Sequence, residues 1–82
     1  MDNTARIRKL LSALIEYEND CGYYDDEKEK SVIEGTEEDC YNSVMEDDEL
    51  HLLTEEKVRA FIHMMFADPK SFSLVCLEFK AF

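Results

Sequence analysis

The chain has 82 residues, of which 45% are hydrophobic, and its nine basic and twenty acidic residues give a formal net charge of −11. This length accommodates a single domain, residues 1–82, and excludes a two-domain enzyme. The apolar content is too high for a disordered tail. The negative charge argues against direct contact with nucleic acid or an anionic membrane, because both require a basic face.

Residues 4–21 are predicted to form an amphipathic helix that begins at Asn3 or Thr4 and ends at Gly22 in a left-handed conformation. Its apolar residues recur at the spacing of one helical face: Ile7, Leu10, Leu11, Leu14 and Ile15. The acidic residues near its C-terminus oppose the helix dipole. Either tertiary packing tolerates them, or they extend an acidic surface: Glu16, Glu18 and Asp20.

The middle of the chain is predicted to contain a hairpin. Its strands would be Lys30 to Glu34 and Cys40 to Met45, joined around Gly35. The alternative for the second segment is a helix that begins at Thr36, because Thr36 and Asp39 have the spacing of a capping box. In that helix Cys40, Tyr41, Val44 and Met45 would share one face.

A second helix is predicted over Leu53 to Ala67. Thr54 is a suitable N-cap, and Leu53 with Val58 has the spacing of a hydrophobic staple. The pair Asp68-Pro69 ends this helix, since the residue before a proline is pushed out of the helical region. Its predicted core residues are Val58, Phe61, Ile62, Met65 and Phe66.

Phe72 to Phe82 is predicted to be a strand because apolar and polar residues alternate within it. The alternative is a third helix with Asp68 as its cap and Pro69 at its first position. The predicted fold class is therefore α+β. Two amphipathic helices pack on a short antiparallel sheet in the order helix, hairpin, helix, strand, and the alternative is an all-α bundle.

Charge is strongly segregated along the chain. Residues 16–49 contain fifteen carboxylates and only Lys28 and Lys30, a net charge of −13, whereas the remaining residues sum to +2. Charge runs are most often solvated faces that keep a protein soluble and monomeric. However, concentrating this charge in 34 of the 82 residues weakens folding through self-repulsion. We therefore expect a function that requires the negative field.

The function that this pattern favours is a non-enzymatic acidic inhibitor that mimics nucleic acid and blocks a basic nucleic-acid-binding protein, such as a nuclease, a restriction or CRISPR effector, a polymerase or a regulator. The alternative is an immunity or antitoxin-type subunit that binds one specific basic partner, with tyrosines as anchors. The predicted partner-binding residues are Glu16, Glu18, Asp20, Tyr23, Tyr24, Asp25, Asp26, Glu27, Glu37, Glu38, Asp39, Tyr41, Glu46, Asp47, Asp48 and Glu49.

The sequence predicts neither a catalytic site nor a cofactor or metal site. Two glycines cannot form a phosphate-binding loop, and the cysteines and histidines lack the spacing of zinc ligands. Glu16, Glu18 and Asp20 alternate as calcium ligands do, but they lie within a helical pattern. The odd number of widely spaced cysteines, with no signal peptide or apolar span, favours reduced thiols and a cytoplasmic location: Cys21, Cys40 and Cys76.

Overall fold

The computed structural model describes residues 3–79. Within that part, four α-helices pack on a two-stranded antiparallel sheet, which confirms the α+β class rather than the all-α bundle. In chain order the elements are α1 (Asn3–Cys21), β1 (Gly22–Asp25), β2 (Lys30–Ile33), α2 (Glu37–Val44), a 3₁₀ helix (Asp48–Leu52), α3 (Glu55–Ala67) and α4 (Pro69–Glu78).

The first helix follows the sequence pattern, since Leu10, Leu11 and Leu14 are completely buried. It ends at Cys21 as predicted, but Gly22 does not stop it in a left-handed conformation. Gly22 starts β1 directly, and among the glycines of the described residues only Gly35 has a positive φ, of 97°. A Cβ atom at residue 22 would collide with the backbone carbonyl of Glu18. Residue 22 is therefore a glycine because a residue without a Cβ atom fits against the Glu18 carbonyl, and not because the helix ends there in a left-handed conformation.

The hairpin lies earlier in the chain than predicted. Lys30–Ile33 is a strand, but its antiparallel partner is Gly22–Asp25, with Tyr23 opposite Val32. The carboxylate of Asp25 accepts hydrogen bonds from the backbone N–H groups of Glu27 and Lys28, at 2.9 and 3.2 Å. This side-chain turn reverses the chain locally, so the strands pair without a contribution from Gly35.

The predicted strand Cys40 to Met45 is wrong, because this segment lies in α2 and its C-cap. The hydroxyl of Thr36 caps the helix by accepting a hydrogen bond from the backbone N–H of Asp39, at 3.1 Å. One helical turn separates Cys40 from Val44, and both are buried. The alternative interpretation, a helix that begins at Thr36, is the one that the structure contains.

The third helix matches its predicted end and begins two residues later than predicted. Thr54 is the N-cap and accepts a hydrogen bond from the backbone N–H of Lys57, at 3.2 Å. Leu53 and Val58, the two residues of the predicted staple, are both buried. Of the predicted core residues, Val58, Ile62 and Met65 are buried, whereas Phe61 and Phe66 are partly buried and pack against the core.

The predicted C-terminal strand is wrong over its described part, because residues 69–78 form α4. Asp68 is the N-cap and Pro69 occupies the first turn, as in the helical alternative. The buried residues of this helix are Phe72 and Cys76, which lie one turn apart. Residues 80–82 of the predicted strand lie outside the described residues.

The buried side chains form one apolar cluster to which every helix and β2 contribute. Within residues 3–79 no charged or polar side chain is buried. No helix in this part of the chain combines the length and the apolar character needed to cross a bilayer. The members of the cluster are Leu10, Leu11, Leu14, Ile33, Cys40, Val44, Leu50, Leu53, Val58, Ile62, Met65, Phe72 and Cys76.

Candidate protein-binding surface

A groove between α1 and the segment that follows α2 brings together acidic residues from two separate parts of the chain. Glu16 and Asp20 lie one turn apart on α1, and Glu46 and Asp47 follow the end of α2. These four carboxylates, with Tyr17 and neighbouring small residues, line a volume of about 440 Å³. We call this feature the acidic groove. It unites four of the residues predicted to bind a partner.

Glu18 does not belong to the acidic groove. Two residues along a helix correspond to a rotation of about 200°, which places Glu18 away from Glu16 and Asp20. It lines cavities beside the hairpin and is half-buried, and this burial raises the pKa of its carboxyl group. The predicted acidic edge of α1 is therefore divided between two faces of the helix.

Lys9 on α1 partly neutralises the end of the acidic groove. Its ammonium group lies 3.0 Å from Glu49 and 3.1 Å from Asp47. These contacts raise the pKa of Lys9 and lower the pKa of Asp47. The carboxylate of Asp47 also accepts a hydrogen bond from the backbone N–H of Glu49, at 3.0 Å, which caps the 3₁₀ helix. Asp48, between them, is exposed.

Two carboxylates of α2 contact basic side chains of α3. The guanidinium of Arg59 lies 2.7 Å from Glu38, and His63 Nδ1 lies 3.2 Å from Glu37. Asp39 is exposed beside them. The charge of Glu38 is therefore partly compensated within the molecule.

The three predicted tyrosine anchors are in different environments. Tyr23 and Tyr24 on β1 are 50% and 61% exposed. Tyr41 on α2 is half-buried, donates a hydrogen bond to Glu55 at 3.3 Å, and has Arg59 3.9 Å from its ring centroid. Tyr41 therefore links α2 to α3, and Tyr23 and Tyr24 are the two whose aromatic surface is exposed to solvent.

The end of the hairpin carries the remaining predicted acids. Asp26 and Glu27 are exposed in the turn, whereas Asp25 is half-buried and its carboxylate holds the turn through backbone hydrogen bonds. These residues lie in the same hairpin as Tyr23 and Tyr24 but not in the acidic groove. The predicted residues thus divide among the acidic groove, α2, the hairpin and the 3₁₀ helix, with Glu18 on a separate face of α1.

In the described part of the chain, both histidines contact oxygen atoms. Within residues 3–79, His51 Nε2 donates to the carbonyl of Met45 at 2.6 Å, and His63 contacts Glu37. All three cysteines are free. The same residues contain no group of three or more potential ligands that could hold a metal ion.

Sequence reasoning missed the basic residues of this surface. Lys9 and Arg59 lie in segments that flank the acidic region, and their contacts span long distances in the chain. Helical spacing offered one local signal, since Arg59 and Glu55 are four residues apart and form an ion pair of 3.5 Å. Comparisons of the chain with protein-family models, with curated proteins and with solved structures found no match.

Proposed function

We propose that this protein is a non-enzymatic acidic inhibitor that mimics nucleic acid and blocks the basic site of a nucleic-acid-binding protein. The observation that carries the proposal is the acidic groove, where Glu16, Asp20, Glu46 and Asp47 converge from two segments. Such convergence gives a partner one site of concentrated negative charge, which random scattering of the same carboxylates would not provide.

The spacing of these carboxylates suits a cationic protein surface. Residues one helical turn apart, such as Glu16 and Asp20, place their side chains roughly 5 to 6 Å from each other. Lysine and arginine side chains that bind phosphates also form charge-assisted hydrogen bonds with carboxylates. Lys9, which contacts both Asp47 and Glu49, supplies an intramolecular example of how a partner's lysine would bind between two carboxylates.

Internal neutralisation leaves most of the negative charge in place. Lys9 and Arg59 are two cations against the thirteen excess negative charges of residues 16–49. Within the described residues, Glu16, Asp20 and Glu46 form no ion pair. These three carboxylates are therefore the ones that we expect to contribute most to the binding of a basic partner.

The test is affinity capture from host lysate at about 50 mM salt, with the tagged protein as bait. The proposal expects retained nucleic-acid-binding proteins that duplex DNA or RNA displaces, and an affinity that falls by at least about tenfold as salt rises to about 200 mM. The variant E16Q/D20N/E46Q should lose this binding. The matched control E34Q/E56Q/E78Q removes the same number of charges from exposed positions outside the predicted surface.

Two results would contradict the proposal. One is a purified complex whose affinity is unchanged by salt and by competing nucleic acid. The other is an equal loss of binding in the groove variant and in the control variant, because this would mean that net charge alone, and not the acidic groove, determines binding.

The exposure of Tyr23 and Tyr24 supports a second candidate, an immunity or antitoxin-type subunit that binds one specific basic partner. Exposed tyrosines are frequent hot spots in protein interfaces. For this candidate, Tyr24→Ala should weaken a purified complex by more than about 30-fold, and neutralising Asp47 and Asp48 should have little effect. The nucleic-acid mimic predicts the opposite order.

A further inference from the structure

A second cavity lies between the hairpin and the corner where α3 meets α4. Residues 28–32 and Tyr24 line it from the hairpin, and residues 66–70 with Ser73 line it from the helices. Its volume is about 600 Å³, within the range of roughly 300 to 1,000 Å³ that small-molecule sites occupy. It contacts α1 through Glu18, whereas the acidic groove contacts α1 through Glu16 and Asp20. The two sites are therefore separate.

This cavity brings together three lysines of a strongly negative protein, alongside three carboxylates. Lys28, Lys30 and Lys70 line it, three of the nine basic residues of the chain. All three are exposed, and none of them forms an ion pair with a carboxylate in residues 3–79. Their ammonium groups are thus available to a ligand, in contrast to Lys9 and Arg59, which are held in ion pairs.

The carboxylates around the cavity do not bind these lysines. Asp68 is hydrogen-bonded to Ser71, whose hydroxyl lies 2.7 Å and whose backbone nitrogen lies 3.2 Å from its carboxylate oxygens. Glu18 is half-buried, which disfavours its charged form and raises its pKa. Glu29 is exposed in the hairpin turn. The three lysines thus form no direct ion pair within residues 3–79, although the lining holds as many carboxylates as lysines.

The cavity also has apolar and aromatic walls. Tyr24 is 61% exposed and lines the hairpin side together with Val32. Phe66 and Pro69 line the opposite side. An exposed aromatic ring offers a stacking surface for a planar group, and ammonium groups beside it offer ionic hydrogen bonds to an anion.

We propose that this cavity binds a small aromatic anion, a planar ring that carries a phosphate or carboxylate group. The anionic group contacts Lys28, Lys30 and Lys70, and the ring packs against Tyr24. This cavity is separate from the acidic groove that carries the proposed inhibitor function, because the two share no lining residue.

The experiment follows backbone amide shifts by NMR as phenyl phosphate, benzoate, inorganic phosphate or phenol is added at constant ionic strength. The proposal expects saturable shifts for Ser31, Lys70 and Ser73 with a ring-bearing anion. At least one of phenyl phosphate and benzoate should bind about fivefold or more tightly than inorganic phosphate or phenol. The stronger of the two identifies the anionic group.

Variants test the assigned contacts. Lys30→Gln and Lys70→Gln should each weaken binding of the preferred ligand, and Tyr24→Leu should remove its advantage over inorganic phosphate. Lys57→Gln is the matched control, since it removes the same charge from an exposed position on α3 outside the cavity. The proposal is overturned by an absence of saturable shifts, or by an equal loss of affinity in the Lys57 control.

Discussion

The guanidinium of Arg59 on α3 donates hydrogen bonds to both carboxylate oxygens of Glu38 on α2, at 2.7 and 3.5 Å. The same guanidinium lies 3.9 Å from the ring centroid of Tyr41 and forms an ion pair with Glu55. One basic residue thus connects two helices and covers an aromatic ring. The consequence for the surface is that Glu38 is occupied within the molecule before any partner binds.

This contact predicts a measurable change in the titration of Glu38. The hydrogen bond from Arg59 favours the ionised carboxylate and lowers the pKa of Glu38 below its ordinary value. In Arg59→Gln we expect that pKa to rise, as followed by NMR of the side-chain carboxyl carbon. Lys57→Gln, which removes a neighbouring charge without touching Glu38, should leave the pKa near that of the wild type.

The lowered pKa of Glu38 also makes the stability of the protein depend on pH. Because the folded state holds the ionised form of Glu38 more strongly than the unfolded chain does, this contribution is present above the ordinary glutamate pKa and is lost as the pH falls through the lower, folded-state pKa. The pH dependence of the unfolding midpoint should therefore be slightly flatter at acidic pH in Arg59→Gln. An unchanged Glu38 pKa in that variant would show that Arg59 does not contact it in solution.

The helical assignment of α4 is tested by two truncations in one segment. Phe72 is completely buried and Leu74 is 62% exposed. We expect Phe72→Ala to lower the free energy of unfolding by about 3 to 5 kcal/mol, because it leaves a core cavity. A chain of this length has on the order of 4 to 12 kcal/mol in total, so much of the protein would unfold. Urea denaturation measures the change.

Leu74→Ala is the matched control for that prediction. In a helix residues 72 and 74 lie on different faces, so this substitution should change the free energy of unfolding by no more than about 0.5 kcal/mol. In a strand both residues would lie on the same face. Comparable losses of unfolding free energy in the two variants would therefore contradict the helical structure of residues 69–78 and favour a strand.

The thiols are predicted to differ in reactivity. Burial raises the pKa of Cys40 from 9.0 to about 12 and that of Cys76 from 9.0 to about 11. The thiolate is the reactive form of a cysteine. At pH 8 about a thousandfold less of Cys40 is ionised than of an ordinary thiol with a pKa of 9.0. We expect an aromatic disulfide reagent to label Cys21 first, because Cys21 is only half-buried.

A substitution of Cys21 and the pH dependence of the free energy of unfolding are the controls for this prediction. Cys21→Ser should remove the fast phase and leave two slow thiols that react as the protein unfolds. The folded state retains the buried thiol protons more strongly, so the free energy of unfolding should fall as the pH rises from about 9 towards 12. Fast labelling of Cys40 at pH 8 in a folded sample would contradict its burial.

Some elements were predictable because their signals are local. The cap at Thr54, the staple of Leu53 with Val58 and the stop at Asp68-Pro69 all act within one or two turns of chain, and they define α3 closely. The apolar residues of α1 also give a local signal. Their spacing places them on one face of a helix, so a helix is the regular structure that buries them together.

Residues 40–45 and 72–79 carried no such unambiguous signal. Short apolar runs satisfy both helical and strand spacing, and a residue that can cap a helix precedes each segment: Thr36 and Asp68. Burial decides between the two structures. As helices the segments place Cys40, Val44, Phe72 and Cys76 in the common core, and β2 already has a partner in β1.

The distribution of charge likewise depends partly on local sequence and partly on tertiary structure. Sequence alone determined that this protein is strongly acidic, that its carboxylates are concentrated in residues 16–49, and that amphipathic helices flank them, since each of these properties depends on composition or on neighbours within a few turns. Only the tertiary structure decided which carboxylates share a surface. Packing of α1 against α2 and the 3₁₀ helix forms the acidic groove and brings Lys9 to Asp47 and Glu49. Packing of α2 against α3 brings Arg59 to Glu38. Electrostatic interactions act through space, and distances in space are set by the packing of the apolar core.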